Sequence, residues 1–415
     1  IGGSLLVGSG ASLVAANSTF RMTATTTSKT LPPGSSSFYN LTFDGTGGNW
    51  AVSGGTLSVS NNVTISNGTL TLPTATTTVG GTFANTGGSF MHNNGIVLFN
   101  GASAQTIRTN SSSFYDLTFD GSGSWSFIET HATSSRHTRI NAGSVTAPTG
   151  ILAVGGSFLN SGGTFLNNAG TLKLTSVSTG NIQANTSSLY NLLVDGVGGA
   201  ITFLDTNATT SNALTIQNGS LVLPSGTLAV GGSLTTNGSF TNNSGTVRLF
   251  ATTTGQTITA SSSPFYNLTV NGTGGGWTIN SNATTTNNFT LTNATSFTLG
   301  SGRTFEVGGT FTNSVGGAAT TWTGSTLYLN SGTAYSLNTK ANTGDSYATL
   351  SVGANTDVRS WNGSAATTTV NSTGSLYSQD HAGVDGDLYV WGDYVRSTGS
   401  DYWSYATDFD GTALG

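Results

Sequence analysis

Hydrophobic residues in this chain alternate with polar ones in short runs, and Gly, Asn, Asp or Pro separates one run from the next. Between Leu41 and Phe99, apolar-polar-apolar triplets recur as LTF, WAV, LSV, VTI and LTL. Alternation with a period of two predicts short β-strands, and the separating residues are typical of turns. The sequence shows no helical periodicity over ten or more residues, so the pattern predicts an all-β chain.

One phrase returns at a nearly constant interval along most of the chain. FYNLTFDGTGG begins at Phe38, and its later copies begin at Phe114, Leu189 and Phe265. A second phrase, IGGSL at Ile1, recurs as VGGTF, VGGSF, VGGSL and VGGTF, with a degraded copy in LYVWGDYV. Fixed periods of this kind indicate a stacked or radial array of structural units. Five units of about 76 residues fit the chain, the fifth with about six extra residues.

Each unit contains roughly nine or ten strand-like runs, so three runs per coil predict three coils of about 25 residues per unit. This arrangement predicts a right-handed parallel β-helix, or β-solenoid, of about 16 coils. A β-propeller is the alternative, but its blades are shorter than this unit and its antiparallel strands are longer than these runs. Within the phrase, Phe38–Phe43 is predicted to form a strand, and Asp44–Gly45 the turn that ends it.

Composition narrows the class of protein. The 415 residues include 59 Gly, only 7% are charged, and the net charge is −5. The negative net charge argues against a nucleic-acid partner, because nucleic acids favour a basic stripe on the protein. The chain also contains no run of 18 apolar residues, so the sequence predicts no transmembrane helix. The chain has no Cys and is rich in Thr, Ser and Asn, which is compatible with secretion to the cell surface. Because it opens in mid-repeat, we interpret it as a mature or excised piece of a longer product.

The run VGGTFANTGGSFMHNNGIVLFNGASAQTI, residues 79–107, is followed by SSFYDLTFDG, and GTVRLFATTTGQTI repeats its pattern at 245–258. These residues resemble the repeats of Thr-, Gly- and Asn-rich β-helix proteins of the bacterial cell surface, which occur in environmental bacteria including candidate phyla. The resemblance covers most of the chain, up to about Thr373. It implies a secreted adhesin, fibre or envelope component, and it is specific for architecture rather than for activity.

Two kinds of residue recur at equivalent positions of the sequence units. One is the Asp or Asn that precedes a Gly, and the other is a Trp a few residues later. We interpret the Asp-Gly pairs as turns, because sites three coils apart are too distant for paired catalytic carboxylates. Trp50, Trp125 and Trp277 each lie two residues before an apolar residue, so we expect these side chains to fill the core rather than to form a sugar-binding ladder. The residues concerned are Asp44, Asp120, Asp195 and Asn271, and Trp50, Trp125, Trp277 and Trp361, with Ile201 in place of Trp in the third unit.

One ionisable cluster interrupts the repeats, ETHATSSRHTRI at residues 129–140. Aligning the units places Thr64, Thr215 and Thr290 opposite Arg139, so Arg139 is expected to point outward. Two His six residues apart without a further partner are a weak metal signal. The cluster is a candidate binding site for an anion or a glycan, and a solvated surface patch is the alternative. The candidate residues are Arg136, His137 and Arg139.

Residues 374–415 are rich in acids and aromatic residues, and we interpret them as terminal coils that continue the repetitive β-helix of residues 1–373 and cap or dock it. Their acids are candidate ligands of a structural Ca²⁺, although the spacing matches neither an EF-hand nor a calcium β-roll. No other cofactor is expected. The calcium candidates are Asp380, Asp385 and Asp387, the additional glycan candidates are Trp391 and Trp403, and the candidate assembly residues are Ile1, Leu5, Tyr402, Trp403, Tyr405 and Phe409.

The sequence therefore favours a non-enzymatic extracellular structural protein, a β-solenoid subunit of a surface fibre, filament or envelope layer. Head-to-tail association of copies is expected, because a β-helix has an open strand edge at each end. Another surface protein is the alternative partner. Two other functions stay open: a carbohydrate-binding adhesin and, less favoured, a polysaccharide lyase or hydrolase. The enzyme is less favoured because the 11 basic residues are scattered and form no cluster with acids.

Overall fold

A computed structural model describes residues 1–7, 11–31, 36–52, 55–332, 334–336, 338–339, 345–353, 356–359, 363–370, 375–378, 388–390, 394–396 and 401–404. The chain is an all-β parallel β-solenoid of about 16 turns, which confirms the predicted fold class. Within the described residues, the helical structure is confined to one 3-10 turn, Gly317–Ala319. The contacts divide the chain into two units, Ile1–Asp205 and Thr206–Gly415.

Short strands joined by bends build the first unit, and each paired strand lies parallel to a strand of the neighbouring turn. Its strands are β1 (Thr19–Met22), β2 (Lys29–Leu31), β3 (Ser37–Phe38), β4 (Asn40–Val52), β5 (Leu57–Val59), β6 (Val63–Thr71), β7 (Thr76–Val79), β8 (Phe83–Asn85), β9 (Ser89–Met91), β10 (Ile96–Phe99), β11 (Ala104–Arg108), β12 (Asp116–Phe119), β13 (Ser124–Phe127), β14 (His131–Ser134), β15 (Thr138–Ile140), β16 (Ser144–Thr146), β17 (Ile151–Val154), β18 (Phe158–Asn160), β19 (Thr164–Leu166), β20 (Thr171–Leu174), β21 (Thr179–Gln183) and β22 (Asn191–Phe203).

The second unit has the same construction, again with parallel pairing between turns. Its strands are β23 (Ala208–Thr210), β24 (Leu214–Val222), β25 (Thr227–Val230), β26 (Leu234–Thr236), β27 (Ser239–Thr241), β28 (Thr246–Leu249), β29 (Gln256–Thr259), β30 (Asn267–Asn271), β31 (Gly276–Ile279), β32 (Ala283–Thr285), β33 (Phe289–Asn293), β34 (Ser296–Leu299), β35 (Thr304–Val307), β36 (Phe311–Asn313), β37 (Thr320–Leu329), β38 (Ala334–Ser336), β39 (Asn338–Thr339), β40 (Asp345–Val352), β41 (Asp357–Arg359), β42 (Gly363–Val370), β43 (Ser375–Ser378), β44 (Leu388–Val390), β45 (Tyr394–Arg396) and β46 (Asp401–Ser404).

In most strands whose side chains the structure describes, buried residues alternate with more exposed ones, because successive side chains of a strand point to opposite faces. The inward residues of paired strands stack one turn apart into ladders, and each pairing between neighbouring turns adds one rung. In the first unit, the first ladder contains Phe20, Leu41, Val63, Phe83, Ile107 and Phe127; the second Leu57, Thr77, Val97, Leu117, Thr138, Phe158, Ile182 and Phe203; and the third Ala132, Leu152, Leu172 and Leu192.

The repeated phrase does not return to the same ladder. Leu41, Leu117 and Leu192 are its equivalent leucines, and they lie on the first, second and third ladders. Three rungs on from Leu41 the first ladder reaches Ile107, and Leu117 follows ten residues later on a different face. One sequence repeat therefore spans three turns and part of a fourth. The prediction of about 25 residues per coil is too long for the first unit. One turn of the solenoid around this core needs fewer residues than a third of the sequence repeat.

The second unit shows the same shift of face and contains a cluster of aromatic rings. Leu268 of the phrase stacks on Val247, whereas Leu350 of the degraded copy stacks on Leu327 in another ladder. At the core of this unit, the ring of Phe289 lies 4.3 Å from Phe305, 5.3 Å from Phe311 and 5.5 Å from Phe297, measured between centroids. Large side chains from β33, β34, β35 and β36 therefore pack against one another in this part of the core.

The glycines of FYNLTFDGTGG allow two turns to approach closely. A Cβ on Gly45 or on Gly48 would lie 1.9 or 2.1 Å from the carbonyl oxygen of Ala24 in the preceding turn. Asp44–Gly45 is not the predicted end of the strand, because β4 continues through it to Val52 with shifts of register at Asp44. The backbone bends at this corner without leaving the strand, and the left-handed residue is Gly47, with a φ of 79°.

Tight turns with two successive left-handed residues separate many of the strands. In each of them the fourth residue donates its N–H to the carbonyl of the first, as Gly95 does to His92 at 2.9 Å. Asn adopts positive φ more readily than most residues, and it begins five of the six pairs. The pairs are Asn93–Asn94, Asn110–Ser111, Asn168–Ala169, Asn185–Thr186, Asn243–Ser244 and Ser261–Ser262.

The recurring Trp side chains fill the core, as predicted. Trp50 and Trp125 are fully buried and Trp277 is 1% exposed, while Trp361 lies outside the described residues. The ring of Trp50 lies over the glycines of its own corner, since a Cβ on Gly48 would be 2.6 Å from its Cη2 atom. These rings are therefore inaccessible to a sugar.

Buried asparagines connect consecutive turns, a role that the sequence pattern does not predict. Asn85 donates its side-chain N–H to the carbonyl of Thr109 at 2.8 Å and accepts the N–H of Gly88 at 3.1 Å. Asn160 makes the equivalent bonds to Ala184 and Gly163, both at 3.0 Å. Both asparagines are fully buried. Each one fixes a tight turn to the preceding turn of the solenoid.

Candidate functional site

Arg139 lies on the outer face of β15. Thr138 and Ile140, its neighbours, are 1% and 0% exposed, whereas the Arg139 side chain is 32% exposed. Alternation along a strand between two buried residues directs the middle side chain outward, which confirms the orientation predicted from the aligned threonines. Arg136 and His137 lie in the bend that precedes β15, and the Arg136 side chain is 47% exposed.

Asp116 is the buried centre of this group, with 4% of its surface exposed. It takes the place of Asn40 and Asn267 in other copies of the phrase. Its Oδ1 accepts the backbone N–H of His137 at 3.1 Å, and the two asparagines accept the corresponding N–H at 3.2 and 3.1 Å. A carboxylate thus keeps the hydrogen bond and adds a negative charge. FYDL in place of FYNL is the sequence signal that could have identified it.

Two guanidinium groups face this carboxylate from the following turn. Nη1 of Arg136 lies 3.6 Å from Oδ2 of Asp116, and Nη1 of Arg139 lies 3.9 Å from Oδ1. Both distances exceed the roughly 2.8 Å of a charge-assisted hydrogen bond, so the attraction is mainly electrostatic. With two arginines against one aspartate, the group carries one net positive charge while His137 is neutral.

A row of stacked side chains holds Arg136 in place. Its guanidinium carbon lies 5.3 Å from the ring centroid of Tyr115, within the range of a cation–π interaction. The Tyr115 ring stacks on His92 with centroids 5.3 Å apart. The three side chains come from successive turns, and sequence reasoning missed two of them. We call Tyr115, Asp116, Arg136, His137 and Arg139 the basic patch.

His137 acts as a hydrogen-bond acceptor within the basic patch. Its Nδ1 accepts the N–H of Ser157 at 2.9 Å. Burial lowers the pKa of His137, the charges of Arg139 and Arg136 lower it further, and Asp116 raises it. The neutral imidazole therefore replaces the amide oxygen that Asn residues provide at this place in other repeats, such as Asn62 to Thr82 at 2.9 Å.

Glu129 does not belong to the basic patch, although the sequence groups it there. Its carboxylate accepts the backbone N–H groups of Thr109 and of Asn110, the latter at 3.0 Å. Asp205 caps the equivalent turn one repeat later, accepting from Ala184 at 2.6 Å and from Asn185 at 3.0 Å. An acid one turn after a tight turn is the signal for this cap.

His131 is also separate from the basic patch. It lies on β14, and its Nδ1 accepts the N–H of Ile151 at 3.1 Å. The two histidines of the cluster thus each bind the backbone of the following turn. No group of three or more His, Cys, Asp or Glu side chains suited to a metal ion occurs in the described part of the chain.

Two of the acids within the repeated phrase, Asp44 and Asp195, pair with a base one turn earlier. Asp44 forms an ion pair with Arg21 and accepts a hydrogen bond from the side chain of Asn67 at 2.7 Å. The Asn67 hydrogen bond and then Arg21 lower the pKa of Asp44. Lys173 Nζ lies 2.8 Å from Oδ2 of Asp195. These acids connect turns, and their corners occur on different ladders.

The structure does not describe the side chains of several candidates from the sequence. Tyr402 and Trp403 lie on β46, which pairs in parallel with β43, and their side chains are not described. The other terminal candidates lie outside the described residues: Asp380, Asp385 and Asp387 for calcium, Trp391 for glycans, and Tyr405 and Phe409 for assembly.

Ile1 and Leu5 are hydrogen-bonded to the first strands. The amino group of Ile1 donates to the carbonyl of Arg21 at 2.7 Å, and the N–H of Leu5 donates to Thr30 at 3.0 Å. The Ile1 side chain is 44% exposed. Their part in assembly stays a prediction.

A shallow cleft of about 450 Å³ lies beside β19, the last strand in its row of paired strands. It is formed by residues 163–167, including β19, and by the tight turn at residues 185–188. The hydroxyl of Ser187 accepts the N–H of Phe165 at 3.0 Å, where a neighbouring strand would otherwise pair. The cleft is lined by Asn, Ser and Thr together with Phe165 and Leu166, and it contains none of the residues of the basic patch.

Comparisons with protein-family models, with curated proteins and with solved structures found no match to this chain. The chain is a β-solenoid protein on the evidence of its own fold, and the resemblance to bacterial surface repeats stays an expectation. The described residues include no helix with the length and hydrophobicity that crossing a membrane requires.

Proposed function

We propose that this chain is a non-enzymatic extracellular structural protein, a β-solenoid subunit of a surface fibre, filament or envelope layer. One observation carries the proposal: many ionisable side chains act between consecutive turns. Arg21 pairs with Asp44 and Lys173 with Asp195. Glu129 caps the tight turn at Thr109 and Asn110, which lies in the preceding turn of the solenoid. Charges placed in this way stabilise the stack of turns and are typical of a scaffold.

The packing supports a mechanical role. Backbone hydrogen bonds between parallel strands join each turn to the next, and ladders of Phe, Leu, Ile and Val fill the interior. A bend would have to separate strands on one face and expose that core to water, which costs free energy in proportion to the apolar area exposed. Each unit is therefore expected to resist bending.

The location and the partner are part of the proposal. The scarcity of charge, the lack of Cys and the richness in Thr, Ser and Asn support the outside of a cell. Strand edges at the end of a parallel stack offer unpaired N–H and C=O groups to another chain. A second copy of the chain would extend the same ladders, and repeated head-to-tail contacts would give a filament.

Electron microscopy of the purified chain over a range of concentrations tests this assembly. We expect single particles at low concentration and unbranched filaments as the concentration rises, because each end-to-end contact is bimolecular. Sedimentation velocity on the same samples would quantify the growth. Single particles at every concentration would contradict head-to-tail assembly, and amorphous aggregates would contradict an ordered contact.

A further inference from the structure

We propose that the basic patch binds an anionic saccharide, a sugar ring that carries a carboxylate or a sulfate group. This binding site goes beyond the structural role. It rests on the exposed guanidinium groups of Arg136 and Arg139, which lie close together on a surface rich in Thr, Ser and Asn.

The two arginines keep hydrogen-bonding capacity for a ligand. Asp116 Oδ1 is already occupied by the N–H of His137, and the arginines lie 3.6 and 3.9 Å from the carboxylate. Each guanidinium has five N–H donors in a planar fork that suits the oxygens of a carboxylate or a sulfate. The one aspartate leaves a single positive charge of the two arginines uncompensated.

The repeats show that the arginines are not needed for folding. Asn61 and Asn287 take the place of Arg136 in other repeats, and Thr64 and Thr290 take the place of Arg139. Those turns keep the same backbone hydrogen bonds with neutral side chains. The charges were therefore added to a turn that folds without them, which favours a role in binding.

The surroundings suit a sugar better than a free anion. His92, Tyr115 and Arg136 form a row across three successive turns, and turns lie about 4.8 Å apart. That spacing is similar to the one between successive rings of an extended polysaccharide. The following turn carries Gly155 and Gly156 beside Arg136, so no side chain of these residues covers the guanidinium.

The stacked row also lowers the cost of binding. Because Arg136 is held against Tyr115, less side-chain entropy is lost when a ligand binds than for a free surface arginine. A nucleic acid is a poor fit to this patch, since one net charge in a chain of net charge −5 provides no basic stripe.

Calorimetric titration of the full chain tests the proposal with four probes: an oligogalacturonate, a sulfated oligosaccharide, a neutral dextran oligomer and inorganic sulfate. We expect at least one charged oligosaccharide to bind more tightly than inorganic sulfate and the dextran to show no binding. The two charged oligosaccharides distinguish a carboxylate from a sulfate ligand. No binding by either, or equal affinity for inorganic sulfate, would overturn the proposal.

Variants designed from the other repeats assign the binding to the patch. The double variant Arg136→Asn, Arg139→Thr should weaken binding by at least about tenfold, because it removes two charge-assisted contacts. Asp116→Asn should strengthen binding, since it removes the opposing charge and keeps the acceptor for His137. Circular dichroism would check that each variant is folded.

A matched control separates a local site from the general charge of the chain. Arg108→Ser, Arg303→Ser removes the same number of positive charges at two exposed positions outside the patch. It should retain wild-type affinity. An equal loss in both double variants would show that net charge, and not the basic patch, attracts the ligand.

Discussion

At the scale of single residues, the repeats of this chain act as controls for one another. Asp116 and His137 occupy places that Asn residues occupy in other repeats, and both keep the backbone hydrogen bonds of those asparagines. Folding at these positions needs an acceptor of suitable length, whether amide, carboxylate or imidazole. The charge and acid-base properties of a side chain can therefore change at one turn of the solenoid while the fold stays the same.

The imidazole at position 137 should make stability depend on pH. The pKa of His137 in the folded chain lies below its ordinary value of 6.5, chiefly because of burial and then Arg139, with Arg136 acting in the same direction and Asp116 opposing. The unfolded chain therefore binds the proton more readily. This contribution to stability is complete above pH 6.5 and is lost as the pH falls towards the folded-state pKa.

The variant His137→Asn should remove that part of the pH dependence, since an amide oxygen accepts the same N–H without titrating. The measurement is the free energy of unfolding by denaturant from about pH 8 to about pH 5. His131→Asn, which changes an exposed histidine of the same cluster, is the control. A pH dependence that is unchanged in His137→Asn would contradict the assignment.

At the scale of strands and turns, the glycines of the repeated phrase allow two consecutive turns of the solenoid to approach closely. Gly45 and Gly48 both face the carbonyl of Ala24, and Gly196 and Gly199 face the carbonyl of Ser176 in the same way. The glycines of the phrase lie where a strand bends around a corner against the previous turn. The Asp-Gly pair indicated a turn, but only the stacking of turns shows why several glycines are required.

Gly45→Ala should therefore be strongly destabilising. Its Cβ would lie 1.9 Å from the Ala24 oxygen, so β4 and the preceding turn would have to separate. We expect a loss of about 3 kcal/mol in the free energy of unfolding, as for severe overpacking. Gly3→Ala, whose Cβ would meet no atom within 4 Å, is the control. Equal effects of the two substitutions in denaturant titrations would contradict close approach as the reason for Gly45.

At the scale of the whole molecule, the period of the sequence and the period of the fold differ. The first ladder passes from Leu41 to Ile107 in three rungs, whereas the phrase passes from Leu41 to Leu117 before it returns. Successive copies therefore occupy successive faces, as Leu41, Leu117 and Leu192 do. Any feature tied to the phrase, including its corners and acids, is distributed around the stack of the first unit.

Deletion of residues 41–116 tests whether the fold needs whole turns. The deletion joins Asn40 to Leu117 and restores an uninterrupted FYNLTFDG, although it moves all later residues to another face. We expect the shortened chain to fold with a melting temperature within a few degrees of the full chain, because stability in a repeat protein comes mainly from contacts between neighbours.

Deletion of residues 41–106 is the contrasting variant. It removes three rungs of the first ladder, so later residues keep their faces, but it breaks the phrase at its first strand. We expect this variant to melt at a lower temperature in circular dichroism. The opposite order of stabilities would show that position on a ladder, and not the phrase, determines which turns can pack.

The sequence by itself determined the class of fold, the parallel stacking, the positions of many strands and the burial of Trp50, Trp125 and Trp277. These follow from local alternation, from turn residues and from a fixed period, all of which can be read along the chain. It also predicted the outward direction of Arg139, because alternation between buried neighbours leaves a single orientation.

The tertiary structure alone decided which residues of different turns meet. The residues that complete the basic patch, Tyr115 and Asp116, precede the arginines by a full turn, and Glu129 serves another turn altogether. The length of a turn sets these neighbours, and that length depends on how the core side chains pack. The alternation of apolar and polar residues does not specify the number of residues per turn. Contacts between residues one turn apart could therefore not be predicted from the sequence.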